Sequence, residues 1–75
     1  MSNPTTPEMV EVESSQIHSA GHDESTNTLF IKFRSGHTYT YDNVTKQQYD
    51  DLMSANSPGK YLSMHIKPRH EATLI

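Results

Sequence analysis

The segment Leu29–Tyr41, LFIKFRSGHTYTY, decides the fold of this chain. Its apolar residues recur at every second position on both sides of the pair Ser35-Gly36: Leu29, Ile31, Phe33, Tyr39 and Tyr41. Period-two spacing on both sides of a turn is typical of half-buried strands, whereas an amphipathic helix repeats every three to four residues. The segment therefore predicts two antiparallel strands joined in a hairpin.

The length of the hairpin loop decides which side chains share a face. A two-residue turn at Ser35-Gly36 would pair Phe33 with Thr38 and would place the tyrosines on the opposite face from the aliphatic residues. A three-residue loop, Arg34-Ser35-Gly36 with its glycine in the left-handed region, pairs Phe33 with His37 instead. We predict the three-residue loop, because it brings the five alternating apolar residues of the two strands onto one buried face.

The length and composition of the chain limit its class. A chain of 75 residues forms one small domain and buries only about 60% of its unfolded surface. It has no cysteine for a disulfide, and no window approaches the roughly 20 apolar residues of a membrane-spanning helix. The N-terminus also lacks the basic and apolar regions of a signal peptide. We expect a soluble, cytoplasmic protein.

Composition divides the chain into a foldable domain, 12–68, between two tails. Residues 1–11 contain two prolines and little that could pack, and 69–75 shows no clear period, so both are predicted as tails. A first strand is predicted within 12–23, with Ile17 as its best core residue. Together with the hairpin it gives an antiparallel sheet of about three strands, near 15–22, 28–34 and 37–42.

Two helices are predicted after the hairpin. Thr45 followed three residues later by Gln48 is a capping box, so the main helix should run over about 45–56. Ser57-Pro58 can start a short second helix, which Pro68 would stop. The main helix has apolar residues at i, i+3 and i+4 that can cover one face of the sheet: Tyr49, Leu52 and Met53. The expected fold class is α+β.

The sequence contains no pattern typical of an enzyme or a metal site. It lacks a cysteine nucleophile, a Gly-x-Ser-x-Gly elbow, a Walker loop and a His-Glu-x-x-His pair. There are five histidines, but His18 and His22 would lie about 13 Å apart on a strand, and zinc ligands come in close pairs. We therefore expect no enzymatic activity, no cofactor and no metal.

Candidate partner-binding residues come from exposed aromatic and cationic positions. In the predicted register Phe30 faces away from the core beside two cations, and an outward aromatic flanked by cations can stack on a base or dock on a protein. The C-terminal region adds a second basic segment. The candidate residues are Phe30, Lys32, Arg34, Lys60, Lys67 and Arg69.

The chain contains Ser-x-Ile at 15–17, Gly-x-Asp at 21–23, Tyr-x-Tyr at 39–41 and Ala-x-Ser-x-Gly-x-Tyr at 55–61. In this order the patterns resemble the KTSC domain, a family named for the C-terminus of some lysyl-tRNA synthetases. The resemblance covers about residues 14–67, and its most specific parts are the Tyr-x-Tyr and Ala-x-Ser-x-Gly-x-Tyr segments. The chain departs from the family pattern at His22, where an aromatic is preferred, at Thr45, where proline is frequent, and in lacking a tyrosine near the C-terminus. The matching positions are Ser15, Ile17, Gly21, Asp23, Leu29, Ile31, Phe33, Gly36, Tyr39, Tyr41, Val44, Tyr49, Leu52, Ala55, Ser57, Gly59, Tyr61 and Ile66.

The resemblance implies a small stand-alone binding module, frequent in bacteria and their phages, without established enzymatic activity. By analogy with small phage proteins that bind host machinery, we expect a regulator that docks on a bacterial protein machine such as RNA polymerase. An RNA-binding module is the alternative, since RNA binding has been suggested for the family. The formal net charge of −3 favours the protein partner, because an acidic chain is repelled by phosphate.

Overall fold

The computed structural model describes residues 7–75. Five strands form one antiparallel sheet in the order β1-β2-β3-β4-β5, so that every strand pairs with its neighbour along the chain. Two helices lie between β4 and β5, and the second continues into a single π-helical turn. The elements are β1 Val10–Glu11, β2 Ile17–Asp23, β3 Thr28–Phe33, β4 Thr38–Tyr41, α1 Lys46–Ser54, α2 Pro58–Tyr61, the π-turn Leu62–Ile66 and β5 Ala72–Leu74.

The predicted hairpin register is confirmed. Ile31 pairs with Tyr39, and the amide of Phe33 donates to the carbonyl oxygen of His37 at 2.9 Å. The three-residue loop closes through a second bond of 2.9 Å, from the Gly36 amide to the Phe33 carbonyl. Gly36 has φ of +103°, a conformation that a residue with a Cβ rarely adopts, which explains why the loop needs glycine at its third position.

The core lies between one face of the sheet and the helices. Ile17, Leu29 and Ile31 of the sheet are fully buried, as are Leu52 of α1 and Ile66 of the π-turn. These residues form a single cluster with Val12, Ala20, Tyr41, Val44 and Leu62. The prediction that Ile17 anchors the first strand, and that the main helix covers one face of the sheet, is confirmed.

The main helix begins at the predicted capping box. The Thr45 hydroxyl accepts from the Gln48 amide at 3.2 Å, and the Gln48 side-chain oxygen accepts from the Thr45 amide at 2.9 Å. The helix ends at Ser54, two residues earlier than predicted, because Ala55 has extended backbone geometry. The second helix begins at Pro58 as predicted, although the Ser57 side chain makes no capping hydrogen bond.

The sheet has five strands rather than about three, because both predicted tails contribute an edge strand. Val10–Glu11 pairs with β2, and Ala72–Leu74 pairs with β4. Strands of two and three residues are too short to show an alternating pattern, so they are not predictable from periodicity. They form because they satisfy the backbone groups at the open edges of β2 and β4. The rest of the predicted N-terminal tail, residues 1–6, lies outside the described residues.

The two phenylalanines of β3 occupy the predicted faces, but neither has the predicted exposure. Phe33 lies on the core face and is half-buried rather than buried, because it lies at the end of the strand. Phe30 lies on the outer face but is also half-buried. Its neighbour in β2, Gly21, leaves room for the segment Pro7–Met9, and a Cβ there would lie 2.9 Å from the Met9 sulfur. This segment therefore crosses the outer face beside Phe30.

The helices between residues 7 and 75 are too short and too polar to cross a membrane.

Candidate functional site

The structure separates the six candidate partner-binding residues. Phe30 and Lys32 lie on the outer face of the sheet, Lys60 lies in α2, and Arg69 is exposed in the turn that precedes β5. The other two, Arg34 and Lys67, line the same open groove at the hairpin end of the sheet. The fold thus brings these two together although they are 33 positions apart in the sequence, whereas Phe30 and Lys32 are neighbours on one strand.

This groove, which we call the aromatic groove, has a volume of about 750 Å³. That volume falls within the range of about 300–1,000 Å³ that is usual for ligand sites in proteins. Three aromatic side chains line it, together with the cations of Arg34 and Lys67, two histidines and several hydroxyl groups. The lining residues are Phe33, Tyr39, Tyr41, Arg34, Lys67, His37, His70, Ser15, Ser35, Ser63, Gln16 and Ala72.

The aromatic surface of the groove comes from the end of the core face. Phe33 and Tyr39 are half-buried and meet edge to face, with ring centroids 5.7 Å apart and an interplanar angle of 78°. Behind them Tyr41 is 1% exposed. Burial raises the pKa of the Tyr41 phenol above its usual value, and the neighbouring Tyr39 adds a smaller effect in the same direction. The groove thus offers an accessible aromatic pair on a rigid, buried base.

Arg34 is fixed in place by the segment that precedes β2. Its backbone amide donates to the Gln16 carbonyl at 2.9 Å, and its guanidinium Nε donates to the Ser14 carbonyl at 2.6 Å. Ser14 is itself held in a local turn, since its hydroxyl accepts from the amides of Gln16 and Ile17, each at 3.2 Å. With Nε occupied, the two terminal nitrogens of the guanidinium remain available to a ligand.

Lys67 directly follows the π-turn and lines the groove. Its amide donates to the Leu62 carbonyl at 2.8 Å, five residues earlier, so the turn is one residue wider than in an α-helix. Leu62 and Ile66 point into the core from this turn. The Lys67 ammonium then lies 5.6 Å from the centre of the Phe33 ring, within cation–π range.

The two groove cations have no acidic partner in the part of the chain that the structure describes. The ion pairs found there join Lys46 to Glu24 at 3.9 Å and to Asp50 at 3.4 Å, on another part of the surface. No aspartate or glutamate lines the groove between residues 7 and 75. The chain is acidic overall, yet this site is locally positive.

A chain of hydrogen bonds ties the groove to the start of α1. His70 contacts the Asp42 carbonyl through Nδ1 at 2.7 Å and the Gln48 side-chain nitrogen through Nε2 at 3.2 Å. A carbonyl oxygen can only accept, so Nδ1 carries the proton and Nε2 accepts from the Gln48 amide group. The oxygen of the same amide group belongs to the capping box with Thr45. His70 therefore fixes the segment that enters β5 against both β4 and α1.

His22 packs against α1 as an aromatic side chain would. Its ring stacks on Tyr49 of α1 with centroids 5.5 Å apart and planes at 23°. Its Nε2 donates to the Val44 carbonyl at 2.6 Å, while Nδ1 is buried without a hydrogen-bond partner. No group of three or more histidine or acidic side chains in residues 7–75 is placed to hold a metal ion. His22 is therefore a packing residue.

A smaller depression of about 350 Å³ lies beside α2 and contains one of the remaining candidates, Lys60. Its apolar surface comes from Met64, which is 58% exposed, and from Tyr61, whose ring lies 4.7 Å from that of His65. It offers one cation and one exposed apolar side chain, so it is a weaker candidate than the aromatic groove.

The aromatic groove contains four residues that the sequence does not single out as candidates: Phe33, Tyr39, His37 and His70. The alternating pattern predicts Phe33 and Tyr39 on the core face, and the structure confirms that position. The signal that could have identified them is their place beside the hairpin loop: a core face extends only as far as the helix that covers it.

Comparison with known proteins places the chain among KTSC domains. The model of the KTSC domain family matches residues 13–70. A protein of Tsukamurella paurometabola is 39% identical over 67 residues, which cover 89% of this chain and 100% of that protein. A protein of Stutzerimonas stutzeri is 33% identical over 61 residues, covering 81% of this chain and 86% of that protein.

A solved structure supports the same assignment. The crystal structure of a KTSC domain protein from Yersinia pestis is similar to this chain with a TM-score of 0.86 and 34% sequence identity, and the similarity covers 91% of this chain and 96% of that one. The range matched by the family model contains every lining residue of the aromatic groove except Ala72.

Proposed function

Since the chain belongs to the KTSC domain family, we propose that it is a non-enzymatic binding module that docks on a protein of the bacterial cell through the aromatic groove. The observation that carries this proposal is the groove itself. Arg34 and Lys67, without acidic partners in the described residues, flank the accessible Phe33–Tyr39 pair. Aromatic side chains and arginine are the residues that dominate binding energy at protein interfaces.

The chemistry of the groove supports binding rather than catalysis. The nearest approach to a nucleophile and base is the Ser35 hydroxyl, 3.3 Å from Nδ1 of His37. Both residues are exposed in or next to the hairpin loop, and in residues 7–75 no third group orients the histidine by a hydrogen bond. Activated serines need such an orienting group, so we propose no reaction here.

RNA is the second candidate ligand, because cations beside accessible aromatic rings also suit unpaired bases. The charge distribution ranks it below a protein. The groove supplies two positive charges, from Arg34 and Lys67. The exposed acidic residues Glu8, Glu11 and Glu13 lie in the segment that leads to Ser14, and they would repel a nucleic acid. A polynucleotide brings one negative charge per nucleotide and would need more contacts than this groove provides.

A retention experiment with a matched control tests the proposal. The protein is immobilised and exposed to nuclease-treated bacterial lysate, and the variant Lys67→Ala is compared with Lys32→Ala, which removes the same charge from the outer face of the sheet. We expect a protein that wild type and the Lys32 variant retain and the Lys67 variant loses. Equal retention by all three, or no retained protein, would contradict the proposal.

The analogy with small phage proteins suggests a cytoplasmic regulator and RNA polymerase as the first partner to test. Purified bacterial RNA polymerase is therefore included as a separate probe, beside labelled single-stranded RNA at two salt concentrations. For RNA, affinity would fall linearly with salt on a log–log plot, with a slope set by the number of phosphate contacts. Micromolar RNA binding without any retained protein would reverse the ranking of the two candidates.

A further inference from the structure

We infer that the aromatic groove binds an acidic peptide segment in which a carboxylate side chain stands next to an aromatic one, with Arg34 holding the carboxylate. This inference rests on the proposed function and names the chemistry of the partner. It follows from the way Arg34 is held, from the surface that lies beside it, and from the charge that the groove can neutralise.

The geometry of Arg34 favours a planar anion. A free arginine side chain on a surface loses much rotational freedom when it binds, but this guanidinium is already fixed through Nε to the Ser14 carbonyl at 2.6 Å. The edge that remains carries the two terminal NH₂ groups, and the structure shows no partner for them within residues 7–75. Two parallel N–H donors match the two oxygens of a carboxylate.

The surface beside Arg34 favours an aromatic neighbour. Phe33 precedes Arg34 directly in the chain and meets Tyr39 edge to face at 5.7 Å. A third ring can extend this pair in the same edge-to-face or offset arrangement. Lys67, 5.6 Å from the Phe33 centroid, then lies close enough to the bound ring or carboxylate to add a second positive charge.

The number of charges favours a peptide over a nucleotide chain. One carboxylate is satisfied by one guanidinium, and Lys67 can neutralise a second. Ser15, Ser35 and Ser63 add hydroxyl groups that can bond to peptide amides as well as to anions. We therefore assign the groove to a short segment with one or two carboxylates, and nucleic acid becomes an outcome of the test.

The test uses synthetic peptides and the full chain. The probe is a blocked peptide containing Asp-Phe, its control is the same peptide with Asn-Phe, and binding is followed by amide and arginine Nε–H signals in nuclear magnetic resonance spectra. We expect the acidic peptide to shift the signals of Arg34, Ser35 and Lys67. The Asn-Phe peptide should bind about 10- to 100-fold more weakly, the loss typical of a charge-assisted hydrogen-bonded pair.

Two variants separate binding from a structural role of Arg34. Arg34→Lys keeps the charge but removes the planar pair of NH₂ donors. This variant should bind the acidic peptide at least about tenfold more weakly, while it still binds the Asn-Phe peptide like wild type. Lys67→Gln leaves the bond between Arg34 and Ser14 intact and should also lower the affinity for the acidic peptide. If Arg34→Lys alters the fold, the Lys67 variant and the peptide pair still decide the question.

Three results would overturn the inference. They are equal affinity for the two peptides, shifts confined to residues outside the groove, or tighter binding of uridine monophosphate or a short single-stranded RNA than of the acidic peptide. If the lysate experiment gives a groove-dependent partner and the acidic peptide does not bind, only the ligand chemistry is wrong. If no groove-dependent partner is retained, the proposed function itself is wrong.

Discussion

The ammonium group of Lys67 lies 5.6 Å from the centre of the Phe33 ring. The two residues are 34 positions apart in the sequence, since Phe33 ends β3 and Lys67 follows the π-turn. Their contact places an accessible aromatic surface and a positive charge at the same point, directly after the wider turn at Leu62–Ile66. The aromatic groove is therefore a product of the tertiary fold rather than of one sequence segment.

Replacing Phe33 by alanine should lower the free energy of unfolding by about 2 kcal/mol. A fully buried phenylalanine typically costs roughly 3–5 kcal/mol, but this ring is only half-buried. Phe30→Ala, on the outer face, should cost about 1 kcal/mol. Thermal denaturation of both variants measures the difference. A larger loss at Phe30 than at Phe33 would mean that the core face of β3 is assigned wrongly.

The hydrogen bond between Gln48 and His70 should appear as an energetic coupling. Each single alanine variant removes the 3.2 Å bond. The double variant should therefore lose less free energy of unfolding than the sum of the two single losses, by about 0.5–1.5 kcal/mol. A cycle between Gln47 and His70 is the control, because Gln47 bonds to Asp51 on the exposed face of α1. Strict additivity for Gln48 and His70 would show that the bond does not stabilise the fold.

Two glycines should respond differently to substitution by alanine. At Gly21 a new Cβ would lie 2.9 Å from the backbone oxygen of Glu8 as well as from the Met9 sulfur, so the segment before β1 must move. At Gly59 the close atom, at 2.6 Å, is the end of the flexible and exposed Gln16 side chain. We expect Gly21→Ala to destabilise by about 1–2 kcal/mol and Gly59→Ala to be close to neutral.

Hydrogen exchange provides the structural readout for this pair. In the Gly21 variant the amides of β1 should exchange faster, while those of β3 and β4 keep their protection. Unchanged protection of Val10 and Glu11 would show that the outer face accommodates the methyl group without displacing the edge strand.

Alkaline pH should weaken the fold through Tyr41. Burial raises the pKa of this phenol above the value of about 10 that it has in the unfolded chain. Above that pH the unfolded state holds fewer protons than the folded state, so stability present at neutral pH is lost as the pH rises. Tyr49 also has a raised pKa, mainly through burial. Tyr41→Phe should therefore reduce the alkaline loss of melting temperature, and the double variant with Tyr49→Phe should reduce it further.

Melting temperatures of wild type and of the two variants, measured from about pH 8 to 11, test this prediction. If Tyr41→Phe loses stability as steeply as wild type over this range, Tyr41 does not keep its proton in the folded state.

Local features of the sequence predicted the parts of the fold that depend on neighbouring residues. The hairpin register follows from Gly36 and the alternation around it, and the start of α1 follows from the pair Thr45 and Gln48. The edge strands were missed because their stability comes from the open edges of β2 and β4, not from their own residues. The groove was missed for a related reason: Lys67 meets Phe33 through tertiary packing, and no local pattern predicts the π-turn that precedes Lys67.

The candidate binding residues were predicted from exposure and charge alone. This reasoning included Arg34 and Lys67 but could not show that they line one groove, and it named Phe30 as the aromatic anchor, whereas the ring beside these two cations in the structure is Phe33. Both rings belong to the same strand, and only the extent of the covering helices and the path of Pro7–Met9 decide which of them faces an open groove.

Docking through the aromatic groove is tested most directly by the affinity of the retained protein partner for charge-reversed variants. Lys67→Glu places a negative charge in the groove, and Lys32→Glu places the same charge on the opposite face of the sheet. We expect Lys67→Glu to abolish binding and Lys32→Glu to retain it within about threefold, with faster association of wild type at low salt. Equal losses in both variants, or full binding by Lys67→Glu, would contradict the account.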